Sequence, residues 1–130
     1  MSAVYPLTLA ALLKGDVDLD GTVKVQALDS TYVYSAAHDF ANDLTGQLGA
    51  AITLAGKTFT AGLFSASPAS LTGIDPGDTV VALVYYIDTG VSSTSRLLAY
   101  EDRNADTTQM SFDGNGLPID VDWPYGLFSI

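Results

Sequence analysis

Residues 79–87 read TVVALVYYI, and the fold can be worked out from this stretch. Taken with a period of two, Val81, Leu83, Tyr85 and Ile87 lie on one side of an extended chain. Val80, Ala82, Val84 and Tyr86 lie on the other. Both sides are apolar. Such a strand is central and covered on both faces, by the rest of the fold or by a partner. Asp75-Pro76-Gly77-Asp78 supplies a turn before it, and Asp88-Thr89-Gly90 closes it.

Outward from this strand the pattern stays β. Residues 22–28 alternate, with Val23, Val25 and Ala27 opposite Thr22, Lys24 and Gln26, as a half-buried strand does. Residues 50–54 and 57–64 read as strands around an Ala55-Gly56 turn. Residues 65–73 (SASPASLTG) read as a loop of small residues. Residues 95–101 form another strand. After the turn at Asp113-Gly114-Asn115-Gly116, Leu117, Ile119, Val121 and Trp123 alternate with polar positions, and residues 127–130 add a last strand. Two segments break the pattern. Residues 6–14 predict a short helix: Pro6 suits the first turn, Leu9, Leu12 and Leu13 share a face, and Gly15 ends it. Residues 35–44 hold a helical turn that Ser35 can cap. The sum is seven or eight short strands with frequent turns. It predicts one mainly β domain over residues 1–130, a β-sandwich or jelly-roll-like fold with a short N-terminal helix.

Composition narrows the function. The 130 residues carry 15 acids against five bases, a net charge of −10, with 48% hydrophobic residues and no cysteine. The chain is long enough for one core and too apolar to be disordered. Disulfides, thiol catalysis and cysteine zinc sites are excluded. Five scattered bases make no stripe for a phosphate backbone, so nucleic acid is not an expected partner. The longest apolar run, residues 80–87, is far shorter than the roughly 20 residues of a membrane helix. No basic segment precedes the apolar patch at 7–13, so no signal peptide is expected. Fourteen of the acids are Asp, which favours turns, and this leaves the rest of the chain unusually apolar. Surplus apolar surface points to cover by another subunit.

Three constellations invite chemistry. Asp16-Val17-Asp18-Leu19-Asp20-Gly21 matches the opening of a calcium loop. Its twelfth position is Ala27 rather than Glu, its ninth is Lys24, and a strand follows, so an Asp-rich turn is the expected reading, with no metal or cofactor. His38 is the single histidine, beside Asp39, but no nucleophile motif accompanies it. Asp120 and Asp122 share one strand face and read as solvent-facing. No phosphate-binding glycine motif is present. The chain is therefore read as a non-enzyme; an enzyme would need a pocket joining His38 to a carboxylate. The 13 aromatic residues serve core packing first, then an interface or a sugar platform. Tyr32 with Tyr34, and Tyr85 with Tyr100 across strands, are the pairs considered for such a platform.

Three stretches carry a wider likeness: residues 5–44 (YPLTLAALLKGDVDLDGTVKVQALDSTYVYSAAHDFANDL), 80–102 (VVALVYYIDTGVSSTSRLLAYED) and 117–130 (LPIDVDWPYGLFSI). Together they resemble a group of small tailed-bacteriophage virion proteins. The matching positions include Lys14, Gly15, Asp16, Asp18, Val23, Val25, Asp29, His38, Asp39, Asp88, Thr89, Gly90, Leu98, Ala99, Tyr100 and Trp123. At Gly21 the chain departs from the Ser/Thr-rich stretch typical of that group. The resemblance implies a structural part of a virion, assembled in the host bacterial cytoplasm, and no catalytic residue.

On this basis the expected role is a capsid decoration or cement protein. It would be a homo-oligomer that bridges major capsid protein or other virion subunits by burying apolar strand faces. The negative charge suits an outer position, away from packed genome. A tail, collar or head–tail junction protein, and a carbohydrate-binding host-adhesion module, are the alternatives. The expected interface residues are Leu9, Leu12 and Leu13 of the helix, Val80, Val84 and Tyr86 of the two-faced strand, and the terminal Phe128 and Ile130.

Overall fold

The computed structural model describes residues 2–124 and 126–129. Strand β1 (Ser2–Val4) leads into helix α1 (Pro6–Leu13), and β2 (Val23–Leu28) follows the Asp-rich turn. A 3₁₀ turn at Ala41–Asp43 precedes β3 (Gln47–Thr53). Then come β4 (Thr58–Thr60), β5 (Leu63–Ser65), β6 (Ala69–Leu71), β7 (Thr79–Val80) and β8 (Ala82–Ile87). The remaining strands are β9 (Leu97–Glu101), β10 (Phe112–Asp113), β11 (Ile119–Val121) and β12 (Phe128–Ser129). Five strands form the main antiparallel sheet in the order β1-β9-β8-β2-β3. Three smaller antiparallel sheets, β10-β7, β11-β6 and β12-β5-β4, complete the fold.

The two apolar sides of β8 organise the core. Leu83 and Tyr85 join Val23, Val25 and Ala27 of β2 under Phe64 and Leu71 from the small sheets and Ile74 and Leu127 from the segments beside them. Ala82 and Val84 face the other way, with Leu28, Leu97 and Tyr100, beneath Tyr5, Tyr32 and Leu44. The main sheet is therefore sandwiched between the layer of small sheets on one side and, on the other, Tyr5 at the start of α1 with the segment after β2. Its mainly β class and short N-terminal helix match the sequence reading. The strands are shared between one large and three small sheets, and the paired four-stranded sheets of a jelly roll are not traced among the described residues.

Several local features depart from the alternation. The strand expected over 79–87 is interrupted at Val81, whose N–H bonds to the Leu28 carbonyl at 2.9 Å. This rotates Val80 out of the face of Ala82 and Val84, and it pairs with Phe112 and packs in the opposite cluster. Gln26, expected on a wet face, is buried where the β2–β3 register shifts. Its Nε2 donates to the carbonyls of Ala27 (3.1 Å) and Leu48 (2.9 Å), so the amide satisfies backbone groups at the irregularity. The strand expected over 57–64 is a hairpin. It turns at Ala61 (φ 52°) and Gly62 (φ 83°), the two positive values that a tight primed turn needs. The loop expected over 65–73 contains β6, which pairs with β11.

Candidate functional site

Helix α1 is built with its bulk outside. Gly15 (φ 79°) closes it: the N–H of Gly15 bonds to Leu12 O at 3.1 Å and that of Asp16 to Ala11 O at 2.9 Å. That pairing is the double bond of a Schellman motif. The inward side carries small residues, Thr8 and Ala11, and the Thr8 hydroxyl donates to the Leu97 carbonyl. Leu9 and Leu12 are half-buried, Leu7 is 45% exposed and Leu13 is 80% exposed. Leu9 and Leu13, one turn apart, share the outward side.

The other expected interface residues divide. Val80 and Val84 are 1% and 0% exposed in the chain's own core, which corrects their assignment to a contact surface. The covering layers are the chain's own, so no partner is needed to bury these two side chains. Tyr86 is half-buried beside Lys24 on the neighbouring strand. Phe128 is half-buried and stacks on Phe64 with ring centres 5.1 Å apart, in a ladder continued by Phe59. Ile130 lies outside the described residues.

The Asp-rich turn already holds a cation, and it belongs to the chain. The Lys57 ammonium donates to the carbonyls of Leu19 (2.8 Å) and Gly21. Asp18 accepts the Asp20 N–H at 3.0 Å in an Asx turn. Among the described residues no cluster of three metal-ligating side chains forms. His38 is likewise tied into structure. Its Nδ1 meets the Tyr32 hydroxyl at 2.7 Å, and that hydroxyl meets Tyr5 OH at 2.8 Å. Burial raises the pKa of Tyr5 and of Tyr32 above the ordinary tyrosine value. Tyr34 and Tyr32 both stack on Tyr100, while Tyr85 lies on the opposite face of the sheet. Neither pair is an open platform: the first is packed in the core, and the second is divided by the sheet.

A cleft of about 460 Å³ opens between the 102–112 loop and residues 120–124, with Gly126 beside them. Its floor is Leu83, Tyr85 and Met110, and its walls include Phe112 and Trp123. The Trp123 indole N–H donates to the Tyr85 hydroxyl at 2.7 Å, with the rings edge-on at 6.0 Å. Glu101, Arg103, Asn104, Asp120 and Asp122 supply the polar groups. The loop is held in shape by Asn104 N–H to Thr108 O at 2.9 Å, and by Asp106, which accepts from the Thr108 N–H and hydroxyl. These bonds lower the Asp106 carboxyl pKa, the side-chain bond most. Thr107, on the cleft, has φ 69°, an unfavourable backbone for a β-branched residue. No spacing in the sequence announces this site, because its residues come from β8, β9, the 102–112 loop and β11.

Searches with this chain find no matching family model, no matching curated protein and no matching solved structure.

Proposed function

We propose that this chain is a structural protein of a bacteriophage virion, a homo-oligomeric capsid decoration or cement protein that braces neighbouring shell subunits. The observation that carries the reading is the inverted helix. Thr8 and Ala11 face in while Leu13 and, in part, Leu7 and Leu9 face out. Covering an exposed leucine is worth about 1.5–3 kcal/mol, so leucines on the outer side of a capped helix suit attachment. The likeness of residues 5–44, 80–102 and 117–130 to tailed-phage virion proteins supplies the setting. The partner in this reading is major capsid protein or another virion subunit, and the function is binding rather than turnover.

Two measurements test it. Cryo-electron microscopy of the intact particle should place density for this chain on the outer capsid surface. Density confined to the tail or the head–tail junction would overturn the capsid assignment. In parallel, Leu13→Asp should weaken attachment of the purified chain to particles lacking it by at least about tenfold, with its melting temperature unchanged. Undiminished attachment would remove the helix from the contact.

A further inference from the structure

We propose that the cleft between the 102–112 loop and residues 120–124 binds a short neutral carbohydrate. The site does not depend on where on a particle the chain sits. Its volume of about 460 Å³ lies inside the range of small-ligand pockets, roughly 300–1,000 Å³. A sugar ring offers two kinds of surface, an apolar C–H face and a rim of hydroxyl groups, and the cleft answers both. Trp123 commits its one N–H to Tyr85, so what it brings to a guest is ring surface held in a fixed orientation. Phe112, 39% exposed, adds a second ring on the same cleft.

The hydroxyl side is met by acceptors. Asp120 uses one oxygen for the Ser70 hydroxyl at 2.6 Å, and Asp122 uses one for the Trp123 backbone N–H at 2.7 Å. Glu101 uses one for the Arg103 backbone N–H at 2.9 Å. Among the described residues the second oxygen of each carboxylate has no hydrogen-bond donor. The bonds already made fix the orientation of the carboxyl groups, which lowers the ordering needed on binding. Hydroxyls donating to carboxylates form the shorter, stronger class of hydrogen bond. The charge balance chooses among guests. Three carboxylates against the single Arg103 guanidinium, on a chain of net charge −10, repel phosphates and acidic sugars. An amine would engage the carboxylates and, by cation–π contact, the rings, in charge-driven binding that salt weakens. A neutral sugar matches the hydroxyl-accepting carboxylates and the ring faces without any charge of its own.

The chain has one tryptophan, and it lines the cleft, so its fluorescence reports on occupancy directly. The full chain is titrated with a panel of neutral probes: glucose, galactose, mannose and N-acetylglucosamine, each as monomer and short oligomer. At least one should give a saturable change in tryptophan emission that survives raised salt. Phe112→Ala and Asp120→Asn/Asp122→Asn, which keep the reporter, should each weaken that binding by about tenfold or more, with melting curves like the parent's. The assignment is overturned if no neutral sugar gives a saturable response, or if both variants bind as the parent does. A response confined to spermidine, and erased by salt, would also overturn it.

Discussion

Lys57 shows how one side chain can decide what a motif does. A D-x-D-x-D-G opening draws the eye to calcium, yet carbonyls of that turn, at Leu19 and Gly21, accept from the Lys57 ammonium. The charge is covalently attached, so no ion need be recruited from solution. Lys57→Met should therefore cost about 1.5–3 kcal/mol, the usual value of hydrogen bonds to a charged group. Denaturant unfolding measures it, and a loss under about 0.5 kcal/mol would show the contact to be incidental. In the parent protein a chelator or millimolar calcium should leave the melting temperature unchanged. Gln26 is the second such residue. Its alternation with Val25 and Ala27 predicts solvent, while the register shift beside it turns the amide inward to two carbonyls. Sequence periodicity carries no sign of a bulge, so this residue's role was not legible before the pairing was known.

At the scale of elements, what could be read was set by local chemistry. The helix was legible because Pro6 and Gly15 punctuate it, and β8 because both its faces are apolar. The β4–β5 hairpin was not, because its turn is Ala61-Gly62 rather than an Asn-Gly or Asp-Gly pair, and Ala is a poor candidate for φ 52°. That mismatch is testable: Ala61→Asn should raise stability by about 0.5–1 kcal/mol, since left-handed backbone costs Asn less than Ala. A neutral or negative change in thermal melting would mean the turn's geometry differs from this account. Strand β6 was hidden for another reason. Ala69 and Ser70 have little strand character of their own, and the strand exists through its pairing with β11. The cleft was invisible for the same reason on a larger scale, since Tyr85, Glu101, Phe112 and Trp123 meet only after the sheets assemble.

Taken whole, the molecule has a pH window set by opposite groups at its two ends. Asp43 and Asp88 have lowered pKa values, each chiefly from backbone N–H groups donating to the carboxylate, with Lys24 also bonded to Asp88 at 2.9 Å. A depressed carboxyl stabilises above its unfolded value, about pH 4, and loses that contribution as pH falls through the folded value. Tyr5, Tyr32, Tyr85 and Tyr100 have raised values, from burial first. Lys24 is raised by its bond to Asp88. Raised groups stabilise below their unfolded values, about pH 10, and that contribution is lost as pH climbs through the folded ones. Stability should thus be flat across neutral pH and fall below about pH 4 and above about pH 10. Asp88→Asn should flatten the acid limb, as read by denaturant midpoints across pH; an unchanged acid limb would remove Asp88 from the account. The buried tyrosines should ionise only as the chain unfolds, so tyrosinate absorbance and loss of structure should rise together. The order β1-β9-β8-β2-β3 has a further consequence, for time rather than stability. β2 waits for β8, with Val25 opposite Tyr85, and β1 waits for β9, with Ser2 opposite Glu101. On a ribosome the main sheet cannot close until β9 has emerged, and such non-local pairing places refolding in the range of about milliseconds to seconds. Until then the apolar strand β8 can pair with β2 on one side while its β9 edge stays open, so the interval of synthesis between β8 and β9 is when this chain is most exposed to edge-to-edge aggregation.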